Sequence, residues 1–268
     1  MDYKKEFQKC MKDIDYSKHD YDVFRDFLNL ASLSLANSFY KDEKLEKEYM
    51  EIIGRYKKNQ EKFGELLGIV VCALDENPFQ DFLGEIFMTL ELENKRNGQF
   101  FTPYHLSLLI AKMQVSKNAI EEEINKKGYI TVSEPACGSG GMVIAFAQAL
   151  KEEGINPQQS FYFVATDIDQ RCSNMCFIQT ALLGLCGGVA WGNTLTVEQY
   201  RAYNTPMFFT EDWQTRFRIN KMREFLDQFV DVTEKVEVRA EQAKEEIKPK
   251  IIDIPRVIEP KQLSLLEI

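Results

Sequence analysis

The residues best suited to chemistry form one short run, Glu134 to Gly141, with the sequence Glu-Pro-Ala-Cys-Gly-Ser-Gly-Gly. Residues 128–133 ahead of it predict a short buried strand, and residues 142–150 after it predict an alanine-rich helix. A carboxylate at the end of a strand, then a glycine turn, then a helix can hold a nucleotide-like ligand in an α/β sheet. The spacing is neither a dinucleotide fingerprint nor a phosphate loop with its lysine. The alternative is a tight strand-to-helix turn that binds nothing.

A second run, Gly98-Gln99-Phe100-Phe101-Thr102-Pro103, lies upstream of the glycine turn. In this order the two runs resemble the N6-adenine DNA methyltransferases that serve as modification subunits of type I restriction systems. The resemblance extends from about Gly98 to Leu195. It implies an α/β fold: a truncated, Rossmann-like, S-adenosylmethionine-dependent methyltransferase core behind a helical N-terminal domain.

The resemblance also implies a set of residues that bind S-adenosylmethionine. Two of them, Phe101 and Thr102, are expected beside the methionine end of the cofactor, and Asn193 stands where the family has an aspartate that contacts the adenine amino group. An asparagine oxygen can still accept that bond. The full set is Phe101, Thr102, Pro103, Glu134, Ala136, Gly138, Ser139, Gly140, Asp167 and Asn193.

Within this set, Asp167 is implied to bind the ribose. It follows residues 161–166, which predict the second strand, and a carboxylate there can accept two hydrogen bonds from a diol. Its neighbour Asp169 is better suited to cap a helix predicted over residues 170–185. Gly187 and Gly188 then predict a turn before a third short strand, Val189 to Trp191.

The catalytic element is where the chain departs from the family. An active member carries Asn/Asp-Pro-Pro-Phe/Tyr after a fourth strand, where the polar groups accept bonds from the target amine. No such tetrapeptide occurs in this sequence, and the nearest segment is residues 203–209, Tyr-Asn-Thr-Pro-Met-Phe-Phe. Asn204 and Pro206 are therefore the candidate catalytic residues, and residues 207–209 are a candidate fourth strand.

Composition restricts the other classes of function. The chain has 268 residues, 44% hydrophobic content and a net charge of −9, which does not suggest a general nucleic-acid binder. The N-terminus does not resemble a signal peptide, and no apolar run reaches membrane-spanning length, so we expect a cytoplasmic protein. The six cysteines are scattered, and Cys172 and Cys176 are interpreted as small buried residues rather than metal ligands, so no metal site is expected.

Periodicity divides the chain into a helical N-terminal domain (residues 1–95), a cofactor-binding domain (96–210), a C-terminal helical segment (211–248) and an extended tail (249–268). The leading functional hypothesis is methyl transfer from S-adenosylmethionine to the exocyclic amine of adenine in DNA. The alternatives are a non-catalytic, DNA-associated regulatory or accessory protein, and a half-enzyme completed by a specificity or catalytic partner subunit. Four basic residues are either a solvated helix face or a DNA contact: Arg216, Arg218, Lys221 and Arg223.

The extreme C-terminus offers a candidate partner site. Residues 262–266, Gln-Leu-Ser-Leu-Leu, are similar to the short peptide by which DNA-processing proteins dock on the bacterial sliding clamp. The glutamine would bond at the rim of a pocket, and the apolar side chains would anchor in it. The candidate contacts are Gln262, Leu263, Leu265 and Leu266. The alternative is a leucine-rich end that folds back on the chain itself.

Overall fold

The computed structural model describes residues 1–94, 100–226 and 239. Contacts divide the chain into two units, Met1–Asn220 and Lys221–Ile268. The first unit contains the helices and strands named below. No helix among the described residues is long and apolar enough to cross a bilayer.

The first 94 residues are helical, as the apolar periodicity predicts. The helices are α1 (Tyr3–Lys12), α2 (Asp20–Tyr40), α3 (Glu43–Ile53), α4 (Lys62–Glu76) and α5 (Phe82–Asn94). They enclose an aromatic core in which the Phe7 ring contacts the edges or faces of three other rings, Phe24, Phe27 and Phe82. Asn77 and Pro78 separate α4 from α5, because proline cannot continue a helix hydrogen-bond ladder.

The second part of the unit contains a sheet of four strands: β1 (Ile130–Glu134), β2 (Phe161–Asp167), β3 (Cys186–Asn193) and β4 (Glu198–Asn204). Their order is β1-β2-β3-β4. The first three strands are parallel, and β4 runs antiparallel to β3. Around them lie α6 (Tyr104–Gln114), α7 (Lys117–Lys127), α8 (Gly141–Glu152), α9 (Pro157–Ser160) and α10 (Gln170–Leu182). Residues 211–226 are also helical. The predicted α/β class is confirmed.

Helix α10 joins the N-terminal helices to the sheet. Its Met175 and Ile178 belong to the same buried cluster as the aromatic core of α1, α2 and α5, while Phe177 packs in the cluster beneath the sheet. A hydrogen bond of 2.8 Å from Asn174 to the side chain of Asn29 links α10 to α2. Helix α10 therefore helps to fix the position of the helical layer relative to the sheet, together with the Arg201–Glu48 ion pair between β4 and α3.

The expectation that β1 is a buried strand was wrong. Its residues alternate between half-buried and exposed, and none is buried. Strands of parallel sheets are usually covered on both faces. Among the described residues β1 pairs only with β2, which leaves its other edge open.

Two further expectations about the strands were also wrong. Gly187 and Gly188 lie inside β3 rather than in a turn before it, and a Cβ added to Gly187 would come within 2.3 Å of the Phe163 ring. The glycine is needed because β3 packs directly against that side chain. The fourth strand is β4, whereas residues Pro206–Phe209 form a 3₁₀ helix, which suits the fixed φ of a proline in its first turn.

Candidate functional site

The carboxyl ends of the three parallel strands bring three predicted residues to one edge of the sheet. Glu134 ends β1, Asp167 ends β2 and Asn193 ends β3. In open α/β sheets this edge is where ligands bind, because the loops that follow the strands leave a crevice there. Tertiary structure thus places together side chains that lie up to 59 residues apart in the sequence.

The glycine turn connects β1 to α8 at this edge. Gly138 and Gly140 have φ values of 53° and 95°, a left-handed region that other residues rarely adopt. The backbone N–H of Gly138 donates to Asp167 Oδ2 at 2.8 Å, and that of Cys137 donates to the carbonyl of Thr166 at 2.9 Å. These bonds hold the turn against the end of β2.

Phe101 forms one wall of the site. Its ring stacks on Phe87 of α5 at a centroid distance of 5.2 Å. It also lies against the turn, where a Cβ on Gly138 would come within 3.2 Å of it. On the opposite side, Cys176 of α10 would lie 3.1 Å from a Cβ on Gly140. The turn is therefore clamped between the helical layer and α10, with no space for larger residues.

A cavity of about 190 Å³ opens between these walls. Its lining includes six residues of the predicted set: Phe101, Thr102, Glu134, Ala136, Gly138 and Ser139. The other four predicted residues adjoin this region without lining the cavity itself: Pro103, Gly140, Asp167 and Asn193. Of these, Pro103 is the N-cap residue of α6. The Ser139 side chain is buried and donates to Asp81 at 2.5 Å, so its hydroxyl is already engaged.

Two carboxylates face each other across the strand ends. Burial raises the pKa of the Glu134 carboxyl; a hydrogen bond from the Ala136 N–H opposes this rise, and the nearby charge of Asp167 adds to it. Each oxygen of Asp167 accepts one backbone N–H, from Gly138 and from Asp169, and each retains a free lone pair. The pair is suited to a ligand with hydroxyl or cationic groups.

The side-chain oxygens of Asp169 and Asn193 are engaged by other groups of the chain, and those of Asp169 also pair with the Arg171 guanidinium. Asp169 caps α10 by accepting from the Arg171 N–H at 2.9 Å, as predicted. The oxygen of Asn193 accepts from the N–H groups of Leu195 and Thr196 at 2.9 and 3.3 Å. Both of its lone pairs are therefore used, and the group that Asn193 offers to a ligand is its NH₂ donor rather than the acceptor anticipated from the sequence.

The candidate catalytic residues are not brought to this edge. Because β4 is antiparallel, its last residue, Asn204, pairs with Gly188 near the beginning of β3, whereas Asn193 pairs with Glu198. Five residues of strand separate the two levels, or about 16 Å. Pro206 follows at the same amino edge.

The basic cluster on residues 211–226 is partly engaged in packing. The Arg216 guanidinium lies 5.5 Å above the Trp213 ring, pairs with Asp212 at 2.9 Å and donates to the Gly128 carbonyl at 3.0 Å. Arg218 donates to the Gln214 carbonyl. Lys221 and Arg223 are exposed.

Larger cavities lie elsewhere. One of about 410 Å³ is lined by residues such as Phe79, Lys151 and Gln158, and another of about 490 Å³ lies beside α1. Neither contains a predicted site residue. We favour the smaller cavity because its lining combines the glycine turn, a carboxylate at a strand end and an aromatic wall.

Sequence patterns did not indicate two buried polar residues of this region, Asp81 and Gln179. The only signal for Asp81 is its position after the Asn77-Pro78 break, where a helix cap is expected. Other predicted residues lie outside the described part of the chain: Gly98, Gln99, Gln262, Leu263, Leu265 and Leu266.

Comparison with known proteins gives one positive finding. A family model described as N-6 DNA Methylase matches residues 80–230, more than half of the chain. The match begins just before α5 and includes the glycine turn, the whole sheet and the helical residues after it. Neither a curated protein nor a solved structure matches the chain.

Proposed function

The chain belongs to the N-6 DNA methylase family, and from that premise we propose that the cavity at the carboxyl edge of its sheet binds S-adenosylmethionine. The observation that carries the proposal is the convergence of Glu134, Asp167 and the Gly138 N–H beside the Phe101 ring. When bound, the cofactor supplies an activated methyl group on a sulfonium. The carboxylates would bind its hydroxyl groups, and Phe101 would exclude water from one side.

Calorimetric titration with S-adenosylmethionine and S-adenosylhomocysteine tests this binding directly. We expect saturable binding of both compounds, because they share the nucleoside and the amino-acid end. A chain that is folded by circular dichroism and binds neither compound would contradict the proposal.

The substrate we propose is adenine in DNA, with methyl transfer to its exocyclic amine. The sequence lacks the Asn/Asp-Pro-Pro-Phe/Tyr element, and Asn204 lies at the other edge of the sheet. Catalysis of this kind depends on positioning the amine against the methyl donor. The chain by itself is therefore expected to bind the cofactor and to transfer methyl groups to DNA poorly.

Incubation with labelled S-adenosylmethionine and mixed genomic DNA measures this transfer. We expect labelling close to the level without protein. Strong formation of N6-methyladenine by the purified chain would show that the catalytic groups are present after all.

A second candidate is a half-enzyme completed by a partner subunit. The observation that favours it is β1, whose residues are all exposed or half-buried and whose second edge has no strand partner among the described residues. A partner that adds a strand there would cover β1 and could carry the missing element to the carboxyl edge. Labelled transfer measured on the chain co-purified from its own cells, against the chain alone, separates this candidate from a non-catalytic regulatory protein.

The C-terminal peptide remains a proposed contact with the sliding clamp, which would bring an acidic chain to DNA. Fluorescence anisotropy of a labelled peptide spanning residues 258–268, titrated with purified clamp, measures it. We expect binding that weakens when Gln262 and Leu265 are both replaced by alanine. An unchanged affinity of the double variant would remove the proposal.

A further inference from the structure

The cavity contains a second acidic side chain, Asp81, that belongs to no sequence pattern used above. Asp81 directly precedes α5, lines the cavity together with Phe101 and Thr102, and is only 6% exposed. A buried carboxylate carries a large desolvation cost unless it is hydrogen-bonded or paired with a cation. The hydrogen-bond donors and charges around Asp81 therefore indicate which kind of ligand group could stabilise it.

Three neutral donors surround this carboxylate. Ser139 Oγ donates to Oδ2 at 2.5 Å, and Gln179 Nε2 and the Gly84 N–H donate to Oδ1, each at 3.0 Å. Gln179 also donates to the carbonyl of Ser139 at 2.8 Å. The network ties the glycine turn to α5 and α10.

Two glycines pack so closely against Asp81 that neither position has space for a side chain. A Cβ on Gly84 would lie 2.2 Å from Asp81 Oδ2, and one on Gly141 would lie 3.2 Å from it. Gly84 is in the first turn of α5 and Gly141 begins α8, so two helix N-termini, which favour negative charge, approach the same carboxylate. This arrangement is suited to an ionised Asp81.

Among the described residues, no cation balances the charge of Asp81. Within residues 1–94 and 100–226, no lysine or arginine forms an ion pair with Asp81. Burial raises the pKa of Asp81, the bonds from Gln179, Ser139 and Gly84 oppose that rise, and the charge of Glu85 adds to it. From the described part of the chain Oδ2 accepts a single bond, which leaves one of its lone pairs for a donor that enters the cavity.

We propose that Asp81 binds the α-ammonium group at the methionine end of S-adenosylmethionine. The inference rests on the proposed function and adds the residue that recognises the amino-acid part of the ligand. Phe101 and Thr102, expected beside the methionine end, line the same cavity as Asp81. An ammonium group supplies the charge that the cavity lacks and a donor for the free lone pair of Oδ2.

The test compares two ligands and two variants by calorimetry. S-adenosylhomocysteine carries the ammonium group, whereas 5′-methylthioadenosine has the nucleoside and the thioether but no amino-acid end. Asp81→Asn keeps the shape and removes the charge. Asp75→Asn is the matched control, because it makes the same substitution at an exposed carboxylate of α4 that does not line the cavity.

We expect Asp81→Asn to weaken S-adenosylhomocysteine binding by about 10- to 100-fold, the range of a hydrogen bond to a charged group. The affinity of Asp81→Asn for 5′-methylthioadenosine and both affinities of Asp75→Asn should stay unchanged. Equal weakening of the two ligands by Asp81→Asn would show that Asp81 only clamps the turn. Unchanged binding of S-adenosylhomocysteine would equally overturn the inference.

The unmodified chain decides the question if Asp81→Asn does not fold. S-adenosylhomocysteine should then bind at least about tenfold more tightly than its analogue lacking only the α-amino group. Equal affinities would overturn the role of Asp81 and leave the proposed function standing. Failure of the unmodified chain to bind any of these compounds would overturn both.

Discussion

The two edges of the sheet differ in how they use polar groups. At the carboxyl edge, Gly138 donates to Asp167, a residue 29 positions away, and the carboxylate of Glu134 lies nearby. At the amino edge, the backbone N–H of Asn204 donates to the Tyr40 hydroxyl, and Tyr40 packs edge-on against Phe209. The first arrangement leaves acceptors open to a ligand, while the second is closed by aromatic packing. The predicted cofactor-binding residues and the candidate catalytic residues therefore lie at different edges of one sheet.

The largest expected loss of ligand affinity follows from replacing a glycine of the turn that has a positive φ. Gly138→Val should reduce affinity for S-adenosylhomocysteine on the order of a hundredfold, because φ is 53° there and the added side chain meets Phe101. Gly154→Val is the matched control, since its φ is 82° and nothing lies near its Cβ. Both variants should lose stability in thermal unfolding, but calorimetry should show lost binding only at Gly138. Equal binding by Gly138→Val would remove the turn from the site.

A smaller effect is expected at the end of β2. Asp167→Asn leaves one acceptor where Gly138 and Asp169 need two, so affinity should fall about tenfold. The control is Asp169→Asn, because asparagine caps a helix as well as aspartate does. Calorimetry of both variants should show a loss for Asp167→Asn alone. A loss of similar size at Asp169 would mean that the whole loop, rather than one carboxylate, binds the ligand.

Glu134→Gln should raise the free energy of unfolding at pH 7 and lower the affinity for the ligand. Burial raises the pKa of Glu134 in the folded state, so its ionised form opposes folding at pH 7. The variant should therefore have a higher free energy of unfolding at pH 7, and this advantage should shrink as the pH falls through the raised pKa and vanish below the unfolded value of about 4.3. Ligand affinity at pH 7 should fall about two- to tenfold.

Urea unfolding of both chains between pH 4 and pH 8 measures the stability difference. A variant less stable than the parent at pH 7 would show that the hydrogen bond from Ala136 outweighs the burial of charge.

The smallest effect is expected at the amino edge. Asn204→Ala should change ligand affinity by less than about twofold, because the residue lies about 16 Å along the strand from the binding edge. Calorimetry and the labelled-methyl assay measure both properties on one preparation. Methyl transfer by the parent that disappears in Asn204→Ala would make Asn204 the amine acceptor and would break the comparison between the two edges.

Local patterns in the sequence determined much of the fold. Periodicity predicted helices in the N-terminal part of the chain, and the order of strand, turn and helix around Gly138 predicted the α/β class. The Asp169 cap was predicted because its signal is local, an acidic side chain next to the first turn of a helix. Such features depend on neighbours within a few residues, which a sequence displays directly.

Strand direction was decided only by the tertiary structure. Asn204 follows Asn193 closely in the sequence, yet the antiparallel pairing of β4 carries it to the opposite edge. Gly187 likewise resembles a turn residue until Phe163, on another strand, is seen to occupy the space of its Cβ. Neither outcome has a local signal, because both depend on which strand lies alongside.

The buried hydrogen-bond network around Asp81 was also decided by the tertiary structure rather than by local sequence. By itself the sequence determined that the chain has a glycine turn between a strand and a helix. Only the fold brought Asp81, Ser139 and Gln179 within hydrogen-bond distance, although Asp81 and Gln179 lie 98 residues apart. Hydrogen bonds and charge burial act over a few ångströms of space, whatever the separation along the chain, so they are fixed by packing rather than by pattern.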